Sequence, residues 1–334
     1  MKFLYLLSLL PNILMIFFFK KFVDQINIFD EPDQIRKIHS KKVPIIGGVV
    51  IFINILILLV VEFTFENFSI SYFNLYGLDQ FLLILFVLIF LFSIGLFDDA
   101  YNLNANYRIL FLLLIISLLL FFNPQASSKH ISFNSIGFEI NLSRLYFLFF
   151  LFVYLSFIIS SNMFDGINLQ SLLYYIFINL FLIFKGIAVE FNIFLTLSLI
   201  FLSIYNYRTK LFIGESGIYL LSFIFLFQTL TNYNLGNISL EEIMLIVFIP
   251  IIDSVRLFFF RIIKGTNPFV GDRNHIHHIL LKKFGYKSTI LILNFLIFVP
   301  VIIMQIYPNY AFLYLITNLI IYIYLIKSFN TNEK

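Results

Sequence analysis

Three of the five histidines crowd into one short stretch, Gly265 to Leu281, which reads GTNPFVGDRNHIHHILL. Set as a helix, His275 and His278 fall on one face at i,i+3 and His277 points elsewhere. Zinc would want histidines at i,i+4 or cysteine partners. Imidazoles beside Arg273 suit contact with a phosphate or nucleotide instead. Carboxylates form the second group. Asp98 and Asp99 are adjacent at the end of an apolar run. Helical neighbours point about 100° apart, so one can hold a metal while the other faces a substrate. Asn162, Asp165 and Asn168 recur every three residues, which in a helical turn would line one face. Glu215 sits in Gly214-Glu215-Ser216-Gly217 at an expected helix start, and the loop 29–48 adds Asp30, Asp33, Arg36, Lys37 and His39. Simpler explanations exist for single members. Charged loops follow from membrane topology, an Asp or Asn caps a following helix, and a helix N-terminus favours an acid such as Glu215. Asp253 and Arg256, at i,i+3, are expected to pair with each other. Capping explains one residue of the 162–168 stripe and leaves the other two.

The elements that must position these residues are membrane spans. Of 334 residues, 61% are hydrophobic and 12% charged, with mean hydropathy +0.97. A soluble chain does not carry that balance, and a span needs about 20 apolar residues. Eleven runs qualify, near 3–19, 45–61, 81–97, 109–122, 145–160, 169–184, 191–205, 217–231, 243–260, 289–306 and 311–326. The expected fold is an all-α polytopic membrane protein, with residues 1–334 as a single transmembrane domain. The segment around Lys185 and Glu190 can be drawn as one helix or two. With alternating loops, one side receives Lys20, Lys21, Arg36, Lys37, Lys41, Lys42, Arg108, Arg208, Lys210, Arg261, Lys264, Arg273 and the lysines beyond. The other side receives only Lys2, Lys129, Arg144 and Lys185. The positive-inside rule puts the first set in the cytoplasm, with the N-terminus outside and the C-terminus inside.

The net charge of +4 reflects this bias and does not speak for nucleic acid. The absence of cysteine excludes disulfides and thiolate metal sites. The first apolar run lacks a small-residue cleavage site and is expected to remain as a signal anchor. A composition rich in Phe, Ile, Asn and Lys suggests AT-rich coding DNA and a bacterial source.

Every cluster singled out falls on one side under this topology, which hydropathy alone did not guarantee. Together they offer Asp98, Asp99, Asp165 and Glu215 as oxygen ligands, with Lys37, His39, Arg273 and the three histidines as anion binders. Hard oxygen ligands beside phosphate suit Mg²⁺, and phosphoryl transfer asks chiefly for positioning and charge neutralisation. The residues alone therefore reach a cytoplasm-facing, Mg²⁺-dependent phosphoryl-transfer site.

The motifs resemble those of the polyprenyl-phosphate N-acetylhexosamine-1-phosphate transferases, glycosyltransferase family 4. The matching elements are Arg36-Lys37-Ile38-His39 with Gly47-Gly48, the Asp98-Asp99 pair, Asn162 to Gly166, Pro250 with Asp253, and Asp272 to His278. They run in family order across residues 30–280. The resemblance implies transfer of an N-acetylhexosamine 1-phosphate from a UDP-sugar to undecaprenyl phosphate, releasing UMP, in the bacterial inner membrane. It implies Asp98, Asp99, Asp165 and His278 as catalytic residues. Substrate binding would fall to Lys37, His39, Asn162, Asn168, Arg273, His275 and His277. Asp99 and Glu215 would hold Mg²⁺, with Mn²⁺ as the substitute ion, and a homodimer is the candidate assembly.

Three positions depart from the family pattern. Glu215 stands where Asp is usual, Asn168 replaces the second Asp of D-G-x-D-G, and Ile159 replaces an Asn. A transporter or flippase of a lipid-linked or anionic substrate is the rival class, and it would want polar residues at mid-membrane and internal repeats. An inactive homologue acting as scaffold is the third.

Overall fold

The computed structural model describes residues 2–32, 41–65, 69–70, 75–268 and 272–329. Lys37 and His39, expected to bind substrate, lie outside the described residues. Among the described residues, eleven α-helices occupy the eleven apolar runs: α1 (Leu10–Ile26), α2 (Gly47–Phe65), α3 (Leu78–Tyr101), α4 (Ala105–Phe122), α5 (Tyr146–Phe164), α6 (Gln170–Phe184), α7 (Val189–Tyr207), α8 (Gly214–Asn234), α9 (Leu240–Ile263), α10 (Ile276–Ile306) and α11 (Ala311–Phe329). Among the described residues, nine helices are long and apolar enough to cross a membrane. The other two are α6, of 15 residues, and α8. This is a multi-pass, all-α membrane protein. The ambiguous stretch resolves as two helices, α6 and α7, packed on one another across a tight turn at 185–188.

Among the described residues, sheet is confined to three two-stranded antiparallel pairs: β1 (Phe29–Asp30) with β2 (Val43–Pro44), β3 (Ser69–Ile70) with β4 (Leu75–Tyr76), and β5 (His130–Phe133) with β6 (Phe138–Asn141). In the last, His130 faces Asn141 and Phe133 faces Phe138.

Local chemistry sets several helix ends. Asn104 caps α4 by accepting from Asn106 N, and Ser239 and Glu242 form a reciprocal capping box at the start of α9, a device that satisfies two otherwise orphaned N–H groups. Helix α8 is the hub. It is buried from Ser216 to Asn232 and packs on α2, α3 and α5. Its first turn threads between two glycines: a Cβ on Gly48 would strike the Ser216 side chain, and one on Gly95 would strike the Ser216 backbone. The two glycines thus admit a close backbone approach, which fixes the depth at which Glu215 enters the bundle. The segment before α8 runs beside the start of α2, where Gly47 N donates to Phe212 O at 3.0 Å and Gly48 N to Ile213 O at 2.7 Å.

Several intramembrane polar groups pair across helices, where no water competes for them. Glu62 accepts from Tyr5 Oη, and Asn54 donates to Ser198 and Asn12.

Candidate active site

The C-terminal ends of α3 and α5 and the N-terminal ends of α8 and α10 open onto one cavity of about 1260 Å³. Its wall includes Asp98, Asp99, Asn162, Asp165, Asn168, Glu215, His275, His277 and His278, with Arg108 and Asp272. Residues more than 170 positions apart in the chain thus share one end of the bundle. Arg273 does not belong to the wall; it is exposed on the turn before α10.

The carboxylate corner is built from α3, α4 and α8. Arg108 Nη1 donates to Asp98 Oδ2 at 2.7 Å and to the two Glu215 oxygens at 3.2 and 3.0 Å. Tyr219, one turn into α8, donates to Glu215 Oε2 at 3.1 Å. Asp98 Oδ1 accepts from Leu103 N at 2.8 Å, which fastens the turn leaving α3. Asp99 faces a different way, as the 100° step between neighbours required. Its oxygens accept from Glu215 N at 2.7 Å, Ser216 N at 3.2 Å and Ser216 Oγ at 2.8 Å. A helix start leaves N–H groups without intrahelical partners, and α3 supplies their acceptor across the bundle. In this arrangement Asp99 acts as the cap of α8.

The stripe Asn162, Asp165, Asn168 is not a helical face. Helix α5 ends at Phe164, and Asp165 has left helical geometry at φ −77°, ψ 62°. The three side chains still line the cavity, because the loop after α5 folds across its floor. Three contacts pin that loop. Leu169 N donates to Asn206 Oδ1 at 2.6 Å, Asn168 Nδ2 to Thr209 Oγ1 at 2.9 Å, and Tyr286 Oη to Asn168 O at 3.0 Å. The cap of α6 is Leu169, with no side-chain bond, so capping of that helix explains none of the stripe. Burial pushes the Asp165 carboxyl up to about 6, with the nearby Ser171 hydroxyl opposing the shift; loss of water penalises the charged form.

The histidine turn also departs from the helical reading. Helix α10 begins at Ile276, and His275 precedes it in extended geometry at φ −62°, ψ 147°. The i,i+3 relation of His275 and His278 therefore does not apply. Instead the His275 and His277 rings stack, with centroids 5.3 Å apart and planes 7° from parallel, and His278 tilts against His277 at 4.3 Å. All three border the cavity, so the expectation that His277 points elsewhere is corrected. Its ring lies against Gly166, where any Cβ would collide with it. Asp272, before the turn, bonds Arg261 Nε at 2.9 Å and Asn274 N at 2.8 Å. Burial would raise its carboxyl, but the Arg261 guanidinium and the Asn274 N–H hold it below the usual carboxylate range.

Two residues do more in the site than the sequence reading assigns them. Arg108 was counted only as an inside charge, although a cation one helix on from an Asp-Asp pair was the available signal. Asp253 was read as a partner for Arg256, and Arg256 Nη2 does reach its Oδ1 at 3.1 Å. Asp253 also holds His275 Nδ1 at 2.8 Å.

The donor set fits a hard divalent cation. Among the described residues, Asp98, Asp99, Asp165 and Glu215 border the same cavity as two cations, Arg108 and Lys42, and an excess of negative oxygen of this kind is what Mg²⁺ neutralises. No group of three or more His, Asp or Glu among the described residues is arranged as a ready-made metal cage.

These features define a cavity at one end of a membrane helix bundle, acidic on one side and imidazole-lined on the other. The profile of Glycosyl transferase family 4 matches residues 81–232. The undecaprenyl-phosphate alpha-N-acetylglucosaminyl 1-phosphate transferase of Escherichia coli O157:H7 is 28% identical over 289 residues, covering 82% of this chain and 74% of its own. The enzyme of the same name from Salmonella typhi is 27% identical over 286 residues, with the same coverage. That from Thermotoga maritima is 27% identical over 272 residues, covering 81% and 79%. The resemblance read from the motifs is borne out as a likeness to glycosyl transferase family 4 and to these transferases.

Proposed function

We propose that this protein transfers an N-acetylhexosamine 1-phosphate from a UDP-sugar to undecaprenyl phosphate at the cytoplasmic face of the bacterial inner membrane, initiating an envelope glycan. The observation that carries the reading is the single cavity shared by Asp98, Asp165, Glu215 and the histidine turn. A lipid-phosphate oxygen attacks the β-phosphorus of the UDP-sugar, the bond from that phosphorus to the bridging oxygen breaks, and UMP leaves. One phosphoanhydride replaces another, so the step needs no ATP and is reversible.

The catalytic demand is alignment and charge neutralisation. A bound Mg²⁺ would supply positive charge to the diphosphate. Glu215, with Asp98 beside it, would hold the ion; Asp99 is engaged by the start of α8 and keeps Glu215 in place. Asp98, bonded to Arg108, would take the lipid-phosphate proton, and Glu215 would carry the larger share of the ion. Arg108 balances the carboxylates when substrate is absent. His275, His277 and His278 contact phosphate oxygens on the opposite wall, and the pinned loop at 165–169 closes the floor beneath them.

Membranes incubated with UDP-[³²P]GlcNAc and undecaprenyl phosphate, with and without Mg²⁺, test this. The expected result is Mg²⁺-dependent label in a chloroform-soluble product. Label accumulating inside intact vesicles, with none in lipid, would instead support a transporter. An aminosugar other than GlcNAc is tested by replacing the donor.

A further inference from the structure

Helix α11 contributes no residue to the cavity wall, yet it reaches the histidine turn through one hydroxyl. Tyr322 is 2% exposed. Its Oη donates to Asp253 Oδ1 at 2.8 Å and accepts from Arg256 Nε at 2.7 Å. Asp253, equally buried, accepts from Ile276 N at 3.2 and 3.3 Å and bonds His275 Nδ1 at 2.8 Å. Arg256 Nη2 closes the ring by donating to Asn274 O at 2.6 Å. The network therefore grips the backbone on both sides of His275 and the ring itself.

The chemistry is directional. A carboxylate only accepts, so the imidazole proton next to Asp253 sits on Nδ1. Such a bond fixes which ring nitrogen is left for other work. Here that nitrogen is Nε2. Tyr322 and Arg256 occupy Oδ1 of Asp253 as donors, which leaves Oδ2 for the imidazole.

We propose that Tyr322 is a positioning residue for His275, acting through Asp253 to hold the ring in its Nδ1–H tautomer with Nε2 available to substrate phosphate. This makes the last helix part of the active site without touching it. The proposal rests on the transfer reading for its rate measurement alone.

The test is Tyr322→Phe in the full chain, reconstituted in lipid nanodiscs, since phenylalanine keeps the ring packing and deletes the hydroxyl. Turnover should fall by about 10-fold or more, as expected when a group orienting another is removed, with KM for both substrates near wild type. ¹⁵N-histidine spectra should show the His275 signals, assigned by their loss in His275→Gln, moving from one tautomer to an exchanging pair. Tyr324→Phe, an exposed tyrosine of the same helix, should change neither. Unaltered His275 signals in Tyr322→Phe overturn the proposal whatever the rate does, and so does a full wild-type turnover. If the wild type transfers no sugar phosphate at all, the functional reading fails, while the ring signals still decide whether Tyr322 sets the tautomer.

Discussion

The two corners of the cavity hold their charges in opposite ways. In the histidine corner, Asp253 is met by Arg256, Tyr322, His275 and a backbone N–H; charge and hydrogen bonds close on themselves. In the carboxylate corner, Asp98 and Glu215 divide one guanidinium nitrogen between them, and Asp99 and Asp165 border the same space. A saturated network holds a shape, whereas an unsaturated one is a place for an incoming charge. The difference predicts which substitutions damage stability and which damage only chemistry.

The largest effect should come from Asp98→Asn. Single-turnover transfer is expected to fall by about 100- to 10,000-fold, the range for losing a positioned proton acceptor, with the unfolding transition unchanged because Arg108 keeps Glu215. An unchanged rate would remove Asp98 from the mechanism and reduce the acidic corner to a structural ion pair. Asp253→Asn should do the reverse. It strands Arg256 and His275 in a buried site, so about 3–5 kcal/mol of stability should be lost, read by denaturant titration in detergent. Equal stability in the two variants would erase the contrast. Next comes Gly166→Ala, whose methyl group must displace the His277 ring. Overpacking of this kind costs about 1–3 kcal/mol, and transfer should fall with it.

Much of this geography was legible in the chain. Apolar runs marked the eleven described helices, nine of them long and apolar enough to span, because a helix that must bury or face lipid along its length leaves an unmistakable composition. Alternation then brought Asp98, Asp165, Glu215 and His275 to one end, as the cavity shows. Period was less informative where the backbone leaves the helix. The three-residue recurrence at 162–168 and the i,i+3 histidines both assumed continuous turns, but α5 stops at Phe164 and α10 starts at Ile276. What could not be read was helix adjacency. Arg108 joins Asp98 to Glu215 only because α4 and α8 both flank α3, and Tyr322 reaches Asp253 only because α11 packs on α9. Hydropathy is the same whichever helices are neighbours.

A pH titration sharpens the comparison on the acidic side. With its carboxyl raised to about 6, Asp165 is protonated below that pH and ionised above it. If its charge serves the reaction, the rate should climb as pH rises through about 6, and Asp165→Asn should lose that limb. Stability runs the other way. A folded-state value above the unfolded one means the native protein holds the proton more tightly. That contribution is complete below about 4 and lost as pH rises through about 6. The Asn variant should therefore match the wild type in acid and exceed it at neutral pH. A rate profile identical in both proteins would assign the acidic limb to another group.

The smallest effect belongs to the loop floor, where neither corner's charge is involved. Asn168 stands where the family pattern has Asp, and its amide nitrogen is turned to Thr209 Oγ1 at 2.9 Å. That bond sets which end of the amide is left for the cavity, since an amide that donates on one side presents its oxygen on the other. Thr209→Val keeps the side-chain shape and deletes the acceptor. Such a bond contributes about 0.5–1.5 kcal/mol, so KM for the nucleotide sugar should rise by roughly 2- to 10-fold, with turnover held. Thr209→Ser, which retains the hydroxyl, should restore it. A fall in turnover at constant KM would instead move Asn168 from substrate binding into the reacting centre, and would join the floor of the cavity to its acidic corner.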